Sequence, residues 1–499
     1  MINATSIKPA LWLLIFIAVG FAVYFSGLAI PRYGDDFVVI LDSPSSKIFY
    51  FFYSAHPAEF YRPTDASFNA ASQTLFGTST VPIHVVSVLS HALLSWLVYS
   101  FMMRLGFRKS QAVLGAFFML FSQANVHPVL SNDTLAQAWS ALFGFLSIWL
   151  LFRASAISYA LSVLAFALAL LSKEAALPFL IIIFGFMVLK KFSGAPKDPP
   201  APTCRITNVL ASLKRDTGAM LARLTPYVIV TISYLLIRSS LANIQPGWGS
   251  RRYEFNLGLN IIENSAQLFF ATLVPASSVT AFVALQSSEW LTFGTITVAT
   301  AVVLALAVWG IYRLERRGVM YLVGASSLAA FFPVAILNRV SELHAYNAMP
   351  FISIIIGAGL GELWYRSGAS RSRRALLALF IGLLFASNIY AIQTKTLLMK
   401  QSGKQATNVL GALKSRAPDV PAGGELILVN PEKPDIEYSV FLLRGFNILE
   451  SPREIKRLIN RSDITVKIIE APDLKRIQPK ENMIILSTDE EGGVYNLEL

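Results

Sequence analysis

Long apolar stretches recur along this chain from near the N-terminus to residue 394. The first holds about 20 residues without a charge, which is the length that crosses a hydrocarbon core of about 30 Å. Hydrophobic residues make up 54% of the chain and charged residues only 14%, whereas soluble domains carry about 25% charged residues. The sequence therefore predicts a multi-pass membrane protein with about 11 helical spans. The predicted spans are residues 11–30, 83–103, 111–125, 134–152, 157–171, 175–189, 224–242, 291–311, 319–337, 346–364 and 375–394.

The basic residues predict how the chain is oriented. The formal net charge of +12 does not indicate a nucleic-acid partner, because most lysines and arginines lie in short runs between apolar stretches. Such runs favour the cytoplasmic side of a membrane. With residues 104–109 and 190–191 inside, the N-terminus is expected in the cytoplasm. The first loop, 31–81, and the C-terminal part, 395–499, are then expected on the extracytoplasmic side.

Residues 258–285 are ambiguous, because they are moderately apolar and yet contain Glu263, Asn264 and Pro275. If this segment crossed the membrane, the later basic clusters would fall outside, against the positive-inside trend. We therefore expect a re-entrant or interfacial segment here.

The composition changes after residue 394, where short alternating or apolar runs typical of strands replace the long stretches. We expect an all-α polytopic membrane bundle at 1–394, followed by a small extracytoplasmic α/β domain at 395–499. The only cysteine, Cys204, excludes an internal disulfide. The predicted strands are 425–429, 465–469 and 482–487, and the predicted helices are 401–415 and 452–460.

Two adjacent carboxylates, Asp35 and Asp36, follow the first span by a few residues. Carboxylates are costly to hold near lipid, and a membrane anchor does not need them. They can accept a proton or bind a divalent metal, although an ordinary solvated loop is the alternative. On the predicted topology other charged or titratable residues share this outer face. They are Arg62, His127, Asp133, Lys173, Glu174, Arg251, Arg252, Glu342 and His344.

This mixture of acidic and basic residues suits group transfer. Carboxylates can activate a hydroxyl nucleophile, and basic side chains can hold a phosphate leaving group. Structural alternatives exist, since Glu174 suits a helix start and Glu342 can pair with His344. No Cys/His spacing supports zinc. Asp35 and Asp36 permit a divalent ion but do not require one, so no cofactor is expected to be needed.

The order of the motifs resembles a known superfamily. The acidic pair is followed by Tyr61-Arg62-Pro63 and by a helix-like stretch from Thr64 to Phe76. This arrangement resembles the GT-C polytopic glycosyltransferases, and more closely the transmembrane O-mannosyltransferases with tetratricopeptide repeats and their bacterial relatives. No such repeats follow here, and His344 departs from the family's Glu-Arg-Tyr pattern. Further similar pieces are His127-Pro128 with Ala138-Trp139-Ser140, Leu171-Ser172-Lys173-Glu174, Asn260 to Pro275, Ser341-Glu342 with Tyr346 and Pro350, and Leu428-Val429-Asn430-Pro431.

The resemblance implies an inverting transferase that takes a hexose or pentose from a polyprenyl-phosphate-linked donor. It implies that Asp35 acts as general base or positions the acceptor, with Asp36 in support. The acceptor would be an extracytoplasmic glycan, lipid or protein. The substrate and lipid-phosphate ligands implied are Arg62, His127, Lys173, Glu174, Arg251, Arg252, Glu342 and His344.

The expected location is the lipid bilayer of a bacterial inner or cell membrane. The main alternative function is a transporter or flippase for a lipid-linked sugar, which would also need many spans and basic groups. Against it, the polar groups gather on the outer face, whereas transporter sites lie near the midplane. A glycan polymerase or ligase and a subunit without activity are further alternatives.

Overall fold

The protein is a helical bundle that continues into a small domain with a sheet. Its helices follow from the apolar stretches, because a helix satisfies every backbone hydrogen bond internally within lipid. The computed structural model describes residues 9–42, 49–53, 60–153, 155–193, 206–241, 256–315, 317–337, 341–431, 445–478, 480–489 and 491–497.

Each predicted span coincides with a helix of the bundle, usually to within a few residues at either end. The helices are α1 (Pro9–Tyr24), α2 (Asp36–Asp42), α3 (Pro63–Phe76), α4 (Val81–Arg104), α5 (Lys109–Phe121), α6 (Val126–Leu130), α7 (Leu135–Leu151), α8 (Ala156–Ser172), α9 (Phe179–Ser193), α10 (Ile206–Leu241), α11 (Asn260–Leu273), α12 (Ser278–Gln286), α13 (Trp290–Tyr312), α14 (Arg317–Ala335), α15 (Met349–Arg366) and α16 (Arg371–Arg416).

Not every one of these helices is long enough to cross a bilayer alone. Within the described residues 6 helices are long and apolar enough, or 7 if the bent pair Lys109–Phe121 and Gln123–Leu130 is one span. Helices α7 and α8 are apolar but have only 17 residues each. The structure thus confirms a polytopic helical protein, whereas the number of about 11 crossings stays a prediction.

The ambiguous segment 258–285 forms the two short helices α11 and α12. They contain 14 and 9 residues, so each is shorter than a bilayer crossing. The Gln123 side chain donates to the carbonyls of Ala271 (2.7 Å) and Ala276 (3.1 Å), on either side of the bend between them. This contact ties the bend to the centre of the bundle, and the depth of the segment in the membrane stays a prediction.

Small residues let the central helices approach closely. A Cβ added at Gly357 of α15 would lie 2.4 Å from the Gly115 Cα of α5. One added at Gly359 would lie 2.3 Å from the Ala307 carbonyl oxygen of α13. Membrane helices lack a hydrophobic drive to associate and depend on such packing. Helix α15 is therefore fixed between α5 and α13, and the short helical segment Glu342–Ala345 directly precedes it.

The C-terminal domain contains a four-stranded sheet in the order β2-β1-β3-β4. Strands β1, β2 and β3 are parallel, and β4 is antiparallel to β3. The three predicted strands are confirmed, whereas β4 was not predicted. The predicted domain boundary at residue 394 falls inside α16, which runs without a break into this domain. The elements are β1 (Glu425–Asn430), α17 (Pro452–Leu458), β2 (Thr465–Glu470), β3 (Met483–Thr488) and β4 (Val494–Asn496).

Candidate functional site

The acidic pair lies in a tight turn at the start of α2. Gly34 has a φ of 58°, a conformation that side chains with a Cβ rarely adopt. The Tyr33 amide donates to Asp36 Oδ2 (3.1 Å), and Asn132 Nδ2 donates to the same oxygen (2.8 Å). Asp36 is therefore buried, at 2% exposure, whereas Asp35 is exposed. The turn presents one carboxylate outward and anchors the other.

Asp36 is held in an environment that disfavours its charge. Burial, followed by the nearby Asp133 carboxylate, raises the pKa of Asp36 to about 8. Its second oxygen, Oδ1, has no hydrogen-bond partner within the described residues. A buried polar atom without a partner is costly, so this oxygen is available for a polar group on a bound molecule.

A second acidic group stands beside the first and was missed by the sequence analysis. Asp65, in the first turn of α3, is 7% exposed and its Oδ1 also lacks a partner in the described part of the chain. Burial raises the pKa of Asp65 to about 7. Arg62, Asp133 and Lys173 act on it electrostatically. A carboxylate in the first turn of a predicted helix, three residues after Arg62, is the signal that could have found it.

Arg62 and Glu174 form a bidentate, partly buried ion pair. Arg62 Nε donates to Glu174 Oε2 (3.2 Å), and Arg62 Nη2 donates to Oε1 (2.7 Å). Arg238 Nη1 lies 3.9 Å from Glu174 Oε2. Burial acts to raise the pKa of Glu174, but the charge and hydrogen bonds of Arg62, together with the charges of Arg238 and Lys173, outweigh burial and lower that pKa well below its usual range. Glu174 is therefore an ionised anchor for Arg62.

Lys173 is a buried cation between these groups. It follows the end of α8 in an extended conformation, with φ −160° and ψ 141°. Thr64 Oγ1 donates to the Leu171 carbonyl (3.1 Å) and to Ser172 Oγ (2.9 Å), which ties the start of α3 to this corner. Lys173 is 8% exposed, and it forms no ion pair with a carboxylate among the described residues. Burial, and then the Arg62 charge, lower the pKa of Lys173 to about 8.

A buried ion pair joins the segment before α15 to α16. Lys395 Nζ of α16 donates to Glu342 Oε2 and to Gln123 Oε1. Glu342 and Lys395 are 4% and 8% exposed. His344 Nδ1 accepts from the Ser341 amide (3.3 Å). The polar segment before α15 is thereby joined to α16.

His127 lies within electrostatic reach of both Glu342 and Asp133. Burial lowers the pKa of His127, while Asp133 and Glu342 act in the opposite direction. Burial, followed by the Lys173 and His127 charges, lowers the pKa of His344 to about 3. Both imidazoles are therefore neutral near pH 7 and can act as hydrogen-bonding groups.

The structure brings most of the predicted site residues into one cluster. Asp133 acts electrostatically on Asp36, His127 and Lys173, so the acidic and basic parts face a common space. Arg251 and Arg252 lie outside the described residues. The predicted residues that share the cluster are Asp35, Asp36, Arg62, His127, Lys173, Glu174, Glu342 and His344.

Besides Asp65, three supporting residues were missed. Asn132 donates to Asp36, Arg238 approaches Glu174, and Lys395 pairs with Glu342. Lys395 could have been found in the sequence, because it is a lone lysine that directly follows the predicted span 375–394. The described residues contain no group of three or more His, Cys, Asp and Glu side chains placed to hold a metal.

Part of the chain matches a known protein family. Residues 56–199 match the family model of dolichyl-phosphate-mannose-protein mannosyltransferases. The matched segment contains Arg62, Asp65, His127, Lys173 and Glu174. This match confirms the resemblance to the GT-C superfamily of membrane glycosyltransferases. Comparison with curated protein sequences gave no match.

Several solved structures are similar in outline. ArnT from Cupriavidus metallidurans bound to undecaprenyl phosphate has 13% identity and a TM-score of 0.47, covering 96% of this chain and 93% of that chain. The archaeal oligosaccharyltransferase AglB from Archaeoglobus fulgidus, in complex with an inhibitory peptide and a dolichol-phosphate, has 13% identity and a TM-score of 0.41, covering 82% of this chain and 58% of that chain. Likenesses this distant assign no activity.

Proposed function

We propose that this protein is a membrane glycosyltransferase that moves a hexose or pentose from a polyprenyl-phosphate-linked donor to an extracytoplasmic acceptor, with inversion at the anomeric carbon. The acceptor is a glycan, a lipid or a protein. The family matched by residues 56–199 is described by a lipid-phosphate-linked sugar donor, which supports this donor class. The proposed location is a bacterial inner or cell membrane, with the N-terminus in the cytoplasm and the C-terminal domain outside.

The observation that carries the proposal is the buried ammonium of Lys173. A buried cation without a direct counterion is costly, and Lys173 has no carboxylate ion pair within the described residues. The phosphodiester of a polyprenyl-phosphate-linked sugar would supply that counterion and two non-bridging acceptor oxygens. Because the acidic turn faces the same cluster, the anion and the acceptor would meet there.

The proposed reaction is a direct displacement. The acceptor oxygen forms a bond to the anomeric carbon while the bond from that carbon to the phosphate oxygen breaks, which inverts the anomeric configuration. Asp35, which is exposed, accepts the hydroxyl proton, and the lipid phosphate leaves with the bonding electron pair. Asp36 supports the turn that presents Asp35.

The basic residues stabilise the charge that develops on the leaving phosphate. Lys173 is placed to do so because its ammonium is buried, and electrostatic interactions are stronger where water is excluded. Glu174 orients the Arg62 guanidinium, which is proposed to contact the same phosphate. Arg251 and Arg252 are proposed as further phosphate ligands, and His127, Glu342 and His344 as groups that line the donor site.

No metal is proposed to be required, because Lys173 and Arg62 already supply positive charge to the leaving group. Asp35 and Asp36 permit a divalent ion, so metal dependence is a direct test. Chelation with EDTA is expected to leave the rate of transfer unchanged.

The test uses purified protein in nanodiscs with a panel of radiolabelled polyprenyl-phosphate sugars and an acceptor extract. The wild type is compared with Asp35→Asn and with Asp419→Asn, an exposed carboxyl remote in sequence from the turn. We expect lipid-phosphate release and sugar transfer in the wild type and in Asp419→Asn, and loss of both in Asp35→Asn. Full activity in Asp35→Asn would refute the assigned base. Movement of donor between leaflets without turnover, unaffected by Asp35→Asn, would favour the flippase alternative.

A further inference from the structure

The C-terminal domain touches the acidic turn directly. The Gly34 amide donates to the Ile448 carbonyl at 2.7 Å. Arg457 Nη2 of α17 donates to the Leu41 carbonyl, near the end of α2, at 2.6 Å. These bonds join two parts of the chain that lie more than 400 residues apart in sequence. The helix that begins at Asp36 is therefore held at both ends by the C-terminal domain.

The bond to Gly34 continues back into the sheet. Ile448 belongs to the 3₁₀ segment Gly445–Leu449, and its side chain is fully buried. Asn430, the last residue of the central strand β1, accepts from the Phe446 amide at 2.8 Å. Gly445, with a φ of 65°, packs against the Asn430 side chain. A continuous set of contacts thus runs from the end of β1 to the backbone of the acidic turn.

Helix α16 supports the same turn from another direction. A Cβ added at Gly403 would lie 2.6 Å from the Pro31 carbonyl oxygen and 2.8 Å from Pro31 Cδ. Both neighbours are parts of a proline, which cannot rotate away, so the loop before Asp35 would have to move. Gly411 lies two turns further along the same helix, and a Cβ there would meet nothing within 4 Å.

We propose that the C-terminal domain is a positioning element of the active site, in which Gly403 and Asn430 hold the turn that carries Asp35 and Asp36. This proposal rests on the function proposed above. Its basis is the contact of Gly403 with Pro31 and the path from Asn430 through Ile448 to Gly34. The domain would act on the reaction through the turn, without touching the donor.

The test compares Gly403→Ala with Gly411→Ala in the full-length protein. Alanine favours a helix over glycine to a similar degree at both positions, so a difference between the variants reports the contact with Pro31. Misplacing a catalytic group by about 1 Å lowers rates by roughly a hundredfold. We expect kcat to fall by about tenfold or more in Gly403→Ala, with the donor KM and the melting temperature close to those of Gly411→Ala. Equal kcat in the two variants would overturn the proposal.

A second measurement does not depend on activity. Hydrogen exchange of the peptide covering residues 31–37 is followed in Gly403→Ala, Asn430→Ala and Gly411→Ala. Faster exchange in the first two than in Gly411→Ala is expected, because the Gly34 amide loses protection. If the wild type transfers no sugar from any donor but this difference appears, the domain still positions the turn and the proposed function has failed. Unchanged exchange in both variants would overturn the positioning role.

Discussion

Replacing Asp36 by asparagine is expected to stabilise the protein while it impairs transfer. Asparagine has nearly the same shape, and its side-chain oxygen can still accept from the Tyr33 amide and from Asn132 Nδ2. It removes a carboxyl that is buried beside Asp133. The variant therefore keeps the hydrogen bonds of the turn and removes a group that must take up a proton on folding.

The size of the effect follows from the pKa. A carboxyl with an ordinary pKa of 3.8 that is raised to about 8 by burial and by Asp133 stays protonated in the folded protein. The unfolded chain loses that proton above about pH 4, so the folded state becomes less stable as pH rises from about 4 to 8. The wild-type penalty is nearly zero below about pH 3 and reaches about 4 kcal/mol at pH 7. Asp36→Asn removes it.

The assay is thermal unfolding in detergent at pH 5 and at pH 8, with Asp419→Asn as an exposed control. We expect the stabilisation by Asp36→Asn to be larger at pH 8 than at pH 5, and the control to match the wild type at both. Transfer in nanodiscs is expected to fall by about tenfold or more, because the amide puts a nitrogen where the wild type has Oδ1, the oxygen that is available to a bound molecule. A variant that is equally stable at both pH values, or less stable at pH 8, would refute the reasoning.

Three further predictions concern Lys173, the buried pair of Glu342 with Lys395, and a divalent metal ion. Lys173→Met is expected to weaken binding of the polyprenyl-phosphate donor by roughly tenfold or more, whereas Lys173→Arg should retain most of the affinity. Equilibrium binding in nanodiscs measures both. The affinity of the wild type should fall above pH 8, because the Lys173 ammonium, with a pKa of about 8, loses its proton there. Glu342→Gln or Lys395→Met alone should destabilise the protein by about 3–5 kcal/mol, and Glu342→Leu combined with Lys395→Met should recover most of that loss in thermal unfolding. Treatment with EDTA should leave the transfer rate unchanged, and loss of transfer restored by Mg²⁺ or Mn²⁺ would assign a metal to the acidic turn.

The elements of this fold could be predicted because they depend on local properties. Apolar runs determine helices wherever lipid excludes water, so the predicted span 83–103 matches Val81–Arg104 and 291–311 matches Trp290–Tyr312. Short apolar or alternating runs predict the three parallel strands. The number of membrane crossings does not follow in the same way, because helices such as α8 are too short to span a bilayer unaided.

The partners within the site could not be predicted, because they depend on contacts between distant parts of the chain. The predicted span 375–394 ends before Lys395, and a charged residue is costly in an apolar helix. In the structure α16 continues, because Lys395 meets Glu342 and Gln123 in the interior. Asn132 attracted no functional prediction, yet it donates to Asp36. Sequence patterns show which polar or charged residues are out of place in an apolar chain. They do not show which of these residues contact one another in the folded protein.

The absence of a direct carboxylate partner distinguishes Lys173 from the other cations of the site. Arg62 pairs directly with Glu174, and Lys395 pairs directly with Glu342. Lys173 lies within electrostatic influence of several carboxylates and yet pairs directly with none of those described. A chain selected only for stability would move Lys173 into contact with one of them, because an unpaired buried charge costs several kcal/mol. The separation is explained if a phosphate enters between the ammonium and the acidic turn, where it would bring the donor sugar within reach of Asp35.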